Sequence, residues 1–352
     1  LGSGPSRLRL GVIGLGRNWE TRHRPALSRL RDRFAISAVY DQVARRAETE
    51  ASSFHCAVAG GIAALIERRD VDAIYLLAPQ WFGLFPAELA CKAKKPIYCA
   101  VPIAAPELES LATLVRSTGT PFVPELARRF YPVTIRLREL LATVLGRPRL
   151  ILGQTRSFGF DRYGAPGPTT QLEPAPLLVD PGSFLLDWCR CLFQCEPVAV
   201  QGTSGTLLPS GDSWPDFLSF TLEFPGGEMA QVALGRYHRA AWGEASRFLP
   251  QSGFQVFAER GVAWLEMPDR IQWSDANGCH EERLPMEPTV GELLNDHFHR
   301  LVCGEPTLAP SIEDAVAVSR LVTDLSRSIQ EGRRITQEPK PDAPGAEPGT
   351  KS

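Results

Sequence analysis

An α/β fold in two parts is predicted for this chain: a parallel N-terminal sheet interleaved with helices, then a region of helices and an antiparallel sheet. Three observations predict it. Strand and helix signals alternate through about residue 126. A glycine pair, Gly14 and Gly16, follows the first strand and opens a helix. Beyond residue 126, strand-like runs succeed one another, some separated by tight turns such as Pro225-Gly226-Gly227. Alternation implies parallel β-α-β units with right-handed crossovers, whereas tight turns join antiparallel neighbours.

Arg7–Ile13 is apolar and glycine-terminated, which reads as a buried strand, and Pro25–Arg31 continues a helix. Phe34–Tyr40 is a second strand ending at Asp41, Val43–Ser52 a helix, His55–Ala59 a short strand and Ile62–Arg69 a helix. Asp72–Ala78, Pro96–Ala100 and Pro121–Glu125 are strands four to six, with helices at Pro86–Ala93 and Pro106–Ser117. Arg128–Leu145 reads as one long helix stopped by Gly146, and Arg149–Ser157 as a strand. A loop rich in Gly and Pro spans Gly159–Pro176, and a helix spans Asp180–Phe193. Strand-like runs follow near Val198–Gly205, Asp216–Phe224, Met229–His238, Gly253–Glu259, Val262–Glu266 and Arg270–Trp273. Helices near Val290–Val302 and Ile312–Gln330 close the second part. The expected domains are residues 1–126 and 127–336, with a tail from 337 to 352 whose Pro, Gly and charge content predicts disorder.

A length of 352 residues suits about two domains. The net charge of −2 argues against nucleic-acid and anionic-membrane partners, which need a basic surface. No apolar run reaches the roughly 18 residues of a membrane span. Leu1–Ser6 lacks a basic stretch followed by an apolar core, so no signal peptide is expected and the cytoplasm is the expected location. Eight scattered cysteines do not read as a secreted disulfide framework. Cys191 and Cys195 would share a helix face, Cys189 would not, and no His lies nearby; buried helix cysteines are expected there, and no metal.

Gly14 and Gly16 permit a tight turn and close backbone approach to a pyrophosphate, which the following helix N-terminus would also attract. Asp41 stands 25 residues beyond Gly16, near the roughly 20 expected of an acid that binds ribose hydroxyls. A free carboxylate there disfavours a 2′-phosphate, so NAD is expected over NADP. Trp19 occupies the third position of the glycine fingerprint, where an indole fits only with a shifted turn. The other reading of the turn is a glycine bend kept for folding alone.

Five segments carry a resemblance to the Gfo/Idh/MocA family, that of glucose–fructose oxidoreductase and inositol dehydrogenase. They are Gly11–Leu27, Asp72–Pro79, Ala87–Ala104, Arg128–Pro132 and Asp180–Asp187. The third keeps the frame of a stretch ending Cys-Glu-Lys-Pro-Leu-Ala, the fourth matches Arg-Phe-x-Pro, and the fifth matches Asp-x-Gly-x-His-x-x-Asp. The resemblance implies a Rossmann domain followed by an α+β domain with an open, mostly antiparallel sheet, often used to form oligomers. It implies cofactor contacts at Gly14, Gly16, Arg17, Asn18, Asp41, Ala78, Pro79, Gln80 and Pro102.

The family's catalytic Lys and His act on the substrate hydroxyl and its proton. Here those positions hold Val101 and Phe184, while the acidic partner survives as Asp180. The motif Glu is Ala100, the Asn before Arg-Phe is Ala127, and a His after the fourth strand aligns with Gly83. A pocket of Val101, Phe184, Trp81 and Phe82 would be apolar. Asp180 and Asp187 have a second reading, as solvated caps of a helix start. Tyr98 is expected in the core, and His297 and His299 fall on different helix faces. Tyr163, Tyr237 and His238 are candidates for the second-domain side of a pocket. The expected function is an NAD-binding oxidoreductase-family protein acting on a sugar-like or other small carbonyl or alcohol compound, with depleted acid/base groups. The alternative is an inactive member that binds a ligand or nucleotide, or serves assembly. A homo-oligomer is expected, since two helices cannot cover both faces of the apolar strands from Asp216 to Trp273.

Overall fold

A computed structural model describes residues 7–100, 107–158, 178–207, 215–238 and 253–337. The first sheet is built from β1 (Leu8–Ile13), β2 (Phe34–Tyr40), β3 (Ala57–Val58), β4 (Ala73–Leu76), β5 (Ile97–Cys99) and β6 (Phe122–Pro124). All its pairings are parallel, in the order β3-β2-β1-β4-β5-β6. The strand order therefore reverses between β1 and β4, which opens a crevice at their carboxyl ends. Helices α1 (Arg24–Arg29), α2 (Ala44–Phe54), α3 (Ile62–Ile66), α4 (Pro79–Phe82), α5 (Phe85–Lys92) and α6 (Glu107–Thr118) alternate with the strands. Strands β4 and β5 are buried at every residue, as a sheet covered on both faces requires.

The second region does not begin with one long helix. Pro132 lacks an amide proton and holds Tyr131 extended, at ψ 137°, so the segment divides. A 3-10 turn (Ala127–Phe130) precedes α7 (Pro132–Leu140), which ends in a π-helical turn (Leu141–Leu145). Next come β7 (Pro148–Phe158), a turn at Leu178–Gly182 and α8 (Ser183–Phe193). Strands β8 (Ala199–Gly205), β9 (Phe217–Glu223), β10 (Met229–His238), β11 (Gly253–Ala258), β12 (Gly261–Glu266), β13 (Arg270–Asp275) and β14 (Gly278–Arg283) follow. Helices α9 (Val290–Val302) and α10 (Ile312–Glu331) and a short β15 (Ile335–Thr336) complete the described chain. The nine-stranded sheet runs β14-β13-β12-β11-β7-β10-β9-β8-β15, antiparallel except for the pair β7–β10. β14 carries no apolar alternation, and its pairing with β13 creates it.

One face of this sheet packs on α7, α8 and α10 through residues such as Leu218, Phe220, Leu222, Leu137, Leu186, Trp188 and Leu321. The other face carries Ser219, Thr221, Gln201 and Gln231 at one end and the exposed Phe257 and Trp264 toward the other. The cysteine trio does not share one helix. α8 stops at Phe193 because Gln194 turns left-handed (φ +56°), which leaves Cys195 beyond it and exposed. Of the predicted tail, 337–352, Gln337 donates its backbone N–H to Val198 at 2.8 Å, and the rest lies outside the described residues.

The two closing helices part company. α9 buries Leu294 and Phe298 among core residues of the first sheet, beside Tyr75 and Tyr98. α10 serves both halves: Ile312 and Ala315 join the first sheet's core, and Val318, Leu321 and Leu325 join the second's. At this junction Arg129 forks onto Asp187 on α8 (Nε to Oδ2 2.9 Å, Nη2 to Oδ1 2.6 Å) and onto Asp314 on α10 (Nη2 to Oδ1 2.7 Å). Arg190 also donates to Asp187, at 3.3 Å. Asp187 is thus neither solvated nor a cap; it is 1% exposed in the middle of α8. Removing one partner of a buried pair strands the other charge. Arg129→Ala should therefore destabilise the protein by about 3 kcal/mol, read as a lower urea midpoint. Arg320→Ala breaks an exposed pair with Glu109 and should cost under about 1 kcal/mol.

Candidate dinucleotide site

The turn after β1 is held by backbone geometry that only glycine satisfies at its first position. Gly14 has φ +91°, and a Cβ there would lie 2.5 Å from the Cβ of Ala78 at the end of β4. Gly14 N–H donates to the Tyr40 carbonyl at 2.9 Å. A Cβ on Gly16 would meet no atom of the described residues within 4 Å. Asp41 reaches back from the end of β2: its Oδ2 accepts Leu15 N–H at 2.7 Å and its Oδ1 accepts Val43 N–H at 2.8 Å. Gly14, Leu15, Asp41 and Ala78 thus meet at the strand-order reversal. Arg17 is exposed and Asn18 half-buried on the outgoing segment, Pro79 is buried, and Gln80 is exposed.

Trp19 is accommodated by the shifted turn that its bulk demands. The segment Trp19–His23 winds as a π-helix before α1 begins, and the extra residue per turn makes room for the indole. The ring is 1% exposed and meets Phe54 of α2 edge-on at 5.6 Å, so it does not line the open crevice.

The neighbouring positions divide. Phe82 packs against Tyr40, with ring centres 5.9 Å apart, and Trp81 stays 45% exposed. Phe184 is half-buried against the first sheet's core, which includes Leu126, Ile312 and Ala315. Gly83 ends α4 at φ +63°. Ala100 and Ala127 are buried in the core of the first sheet. Val101, Pro102 and Tyr163 lie outside the described residues. Asp180 falls in the turn Leu178–Gly182 and Tyr237 and His238 fall in β10, but their side chains are likewise outside the description. Among the described residues, no three His, Cys, Asp or Glu side chains gather to hold a metal, and no helix is long and apolar enough to cross a membrane.

Sequence reasoning missed a buried polar group beneath the crevice. His23 Nε2 lies 2.9 Å from Glu125 Oε2, and Arg22 pairs with the other oxygen. The His23 ring stands edge-on to Tyr98 at 5.1 Å, Tyr98 stacks on Tyr75 at 4.8 Å, and the Tyr75 hydroxyl donates to Asn295 on α9 at 2.8 Å. Tyr98 is the core residue expected. His297 meets Thr307 and Phe130, while His299 meets Phe34, so the two histidines do serve different faces. The available signal for the group was a Glu and two Tyr in segments predicted as strands, with a His where the first helix opens.

A parallel sheet with a glycine turn at its strand-order reversal is thus joined to a large mixed sheet. Residues 8–124 match the oxidoreductase family with an NAD-binding Rossmann fold, and residues 134–263 match the Gfo/Idh/MocA C-terminal domain. The chain belongs to the Gfo/Idh/MocA oxidoreductase family. It is 25% identical over 237 residues to 2,7-anhydro-N-acetylneuraminate hydratase of Escherichia coli, covering 64% of this chain and 61% of that protein. It is 27% identical over 315 residues to trans-1,2-dihydrobenzene-1,2-diol dehydrogenase of Mus musculus, covering 86% and 89%. An oxidoreductase from Agrobacterium radiobacter, solved with NAD+, L-tartaric acid and magnesium, superposes with a TM-score of 0.79 at 18% identity, covering 94% of this chain and 98% of that one.

Burial, and next Arg22, push the His23 pKa down to about 3. Burial thus favours the neutral imidazole in the folded protein. Below about pH 6.5 the unfolded chain binds a proton that the folded protein refuses until about pH 3. Stability should fall across that window, by at most about 1.4 kcal/mol per pH unit from this group. Imidazole NMR at pH 5 should show His23 neutral; a protonated ring there would refute this assignment.

Proposed function

We propose that this chain is an NAD-binding protein of its family that acts on a sugar-like or other small carbonyl or alcohol compound, in a crevice short of acid/base groups. The observation that carries the reading is the meeting of Gly14, Leu15, Asp41 and Ala78 at the strand-order reversal. Those residues fit a dinucleotide: the turn is tight, Gly16 leaves room for close approach, and Asp41 places a carboxylate at the crevice edge. Gly14, Gly16, Arg17, Asn18, Asp41, Ala78, Pro79, Gln80 and Pro102 would hold it. Bound there, a nicotinamide supplies the hydride acceptor or donor.

The chain's own residues then bind and orient. Asp180 is the proton acceptor that remains of the family set. Phe184 offers an apolar wall and Val101 a side chain with no titratable proton. The two relatives, an anhydro-N-acetylneuraminate hydratase and a dihydrobenzene-diol dehydrogenase, support a hydroxylated small molecule as substrate. The inactive reading has its own support: Phe184 is used for packing against the first sheet's core. Turnover separates the two readings. The exposed Phe257 and Trp264, on a sheet face that no described helix covers, support a homo-oligomer.

Titration calorimetry should show NADH binding more tightly than NADPH, because a 2′-phosphate would meet the Asp41 carboxylate. Equal or tighter NADPH binding would overturn that preference. Steady-state assays should show negligible NAD-dependent oxidation of inositol or glucose, since loss of a positioned acid/base group costs ~10²–10⁴-fold in rate. Val101→Lys with Phe184→His should restore part of it. Wild-type turnover of several per second, on the order expected of an ordinary enzyme, would reveal another proton path.

A further inference from the structure

We propose that Asp41 is a positioning residue that clasps the glycine turn into its binding shape before any nucleotide arrives, in addition to facing the ribose. The inference rests on reading the crevice as a dinucleotide site. Its geometry, however, belongs to the protein alone.

Two successive amides of the turn are tied to the end of β2. Gly14 N–H is held by the Tyr40 carbonyl at 2.9 Å, and Leu15 N–H by Asp41 Oδ2 at 2.7 Å. The second carboxylate oxygen accepts Val43 N–H at 2.8 Å, which fixes the start of α2. One side chain therefore joins three segments: the glycine turn, its own strand end and the entry to the next helix. The Leu15 side chain is buried at 1% exposure, so the peptide is anchored on both sides of its backbone.

This arrangement divides the work of the turn. The amides of Gly14 and Leu15 are spent inside the protein and cannot serve a phosphate. Phosphate contact falls to the stretch from Gly16 onward, where no described atom would crowd a Cβ. A carboxylate has about four acceptor positions, and two here are taken by backbone N–H groups. Two remain, which suits the vicinal hydroxyls of a ribose. The backbone bonds also hold the carboxylate plane in one orientation, so it is presented already set. A charged acceptor binds amides more strongly than a neutral one. Removing the side chain would free Leu15 N–H and let the turn sample other shapes. Ligands with no ribose hydroxyls would then lose affinity as well.

The test uses the full chain, with adenosine 5′-diphosphate and its 2′,3′-dideoxy analogue as probes. If the clasp operates, Asp41→Ala weakens the dideoxy analogue by about tenfold, the worth of one charge-assisted hydrogen bond to the turn. Asp41→Asn keeps one oxygen acceptor and should lose less. An Asp41→Ala protein that binds the dideoxy analogue as tightly as wild type, while losing only adenosine diphosphate, would reduce Asp41 to a ribose ligand and overturn the proposal. Amide hydrogen exchange without nucleotide reads the clasp independently: Leu15 N–H should exchange slowly in wild type and faster in Asp41→Ala. Equal exchange in the two proteins also overturns it. Failure of wild type to bind either probe or NADH would instead sink the dinucleotide reading, and the exchange comparison would still decide the clasp.

Discussion

The forked pairing of Arg129 with Asp187 and Asp314 is the constraint on which the arrangement of this molecule depends. Arg129 leaves the first sheet just after β6, Asp187 lies mid-helix on α8, and Asp314 sits in the first turn of α10. Three segments far apart in sequence are thereby locked at one point. The planar guanidinium grips Asp187 with two N–H groups while also reaching Asp314, a bidentate geometry that a lysine ammonium does not offer. Such burial of charge is tolerated because each partner satisfies the others. α8 carries Phe184 one turn before Asp187, so this cluster also sets where that ring meets the first sheet.

The crevice shows the same economy on a smaller scale. Gly14 approaches Ala78 so closely that no side chain fits, and that contact brings the ends of β1 and β4 together. Trp19 would obstruct this in a regular α-helical turn. The π-helical turn moves the indole against α2 instead, where it becomes part of the core. Beneath the turn, His23, Glu125 and Arg22 tie the outgoing helix to the end of β6, and Asn295 links Tyr75 to α9. The crevice thus rests on packing from both the first and the second region of the chain.

Local signals made the first half of the chain legible. Period, glycine punctuation and the spacing to Asp41 identified β1 to β6 in order, because a fully buried parallel sheet writes its strands as short apolar runs. The glycine turn and its acid were legible for the same reason: their chemistry is local. Helix α9 was found at its bounds, and its Thr289–Glu292 capping box explains why it starts there. Elements whose existence depends on a partner were not legible. β14 is polar throughout and forms only because β13 offers it an edge, and the break at Pro132 shows a local rule overridden by reading apolar period alone.

The sequence by itself determined the two kinds of sheet and the glycine turn with its acid. Those features follow from residue type and near-neighbour spacing. Only the tertiary structure decided that Asp187 is a buried ion-pair partner, that α9 packs on the first sheet, that Trp19 turns away from the crevice, and that Asp41 holds Leu15 and Val43. Each of these depends on where segments tens to hundreds of residues apart come to rest. Periodicity reports which face of an element is apolar, but not which element will cover it.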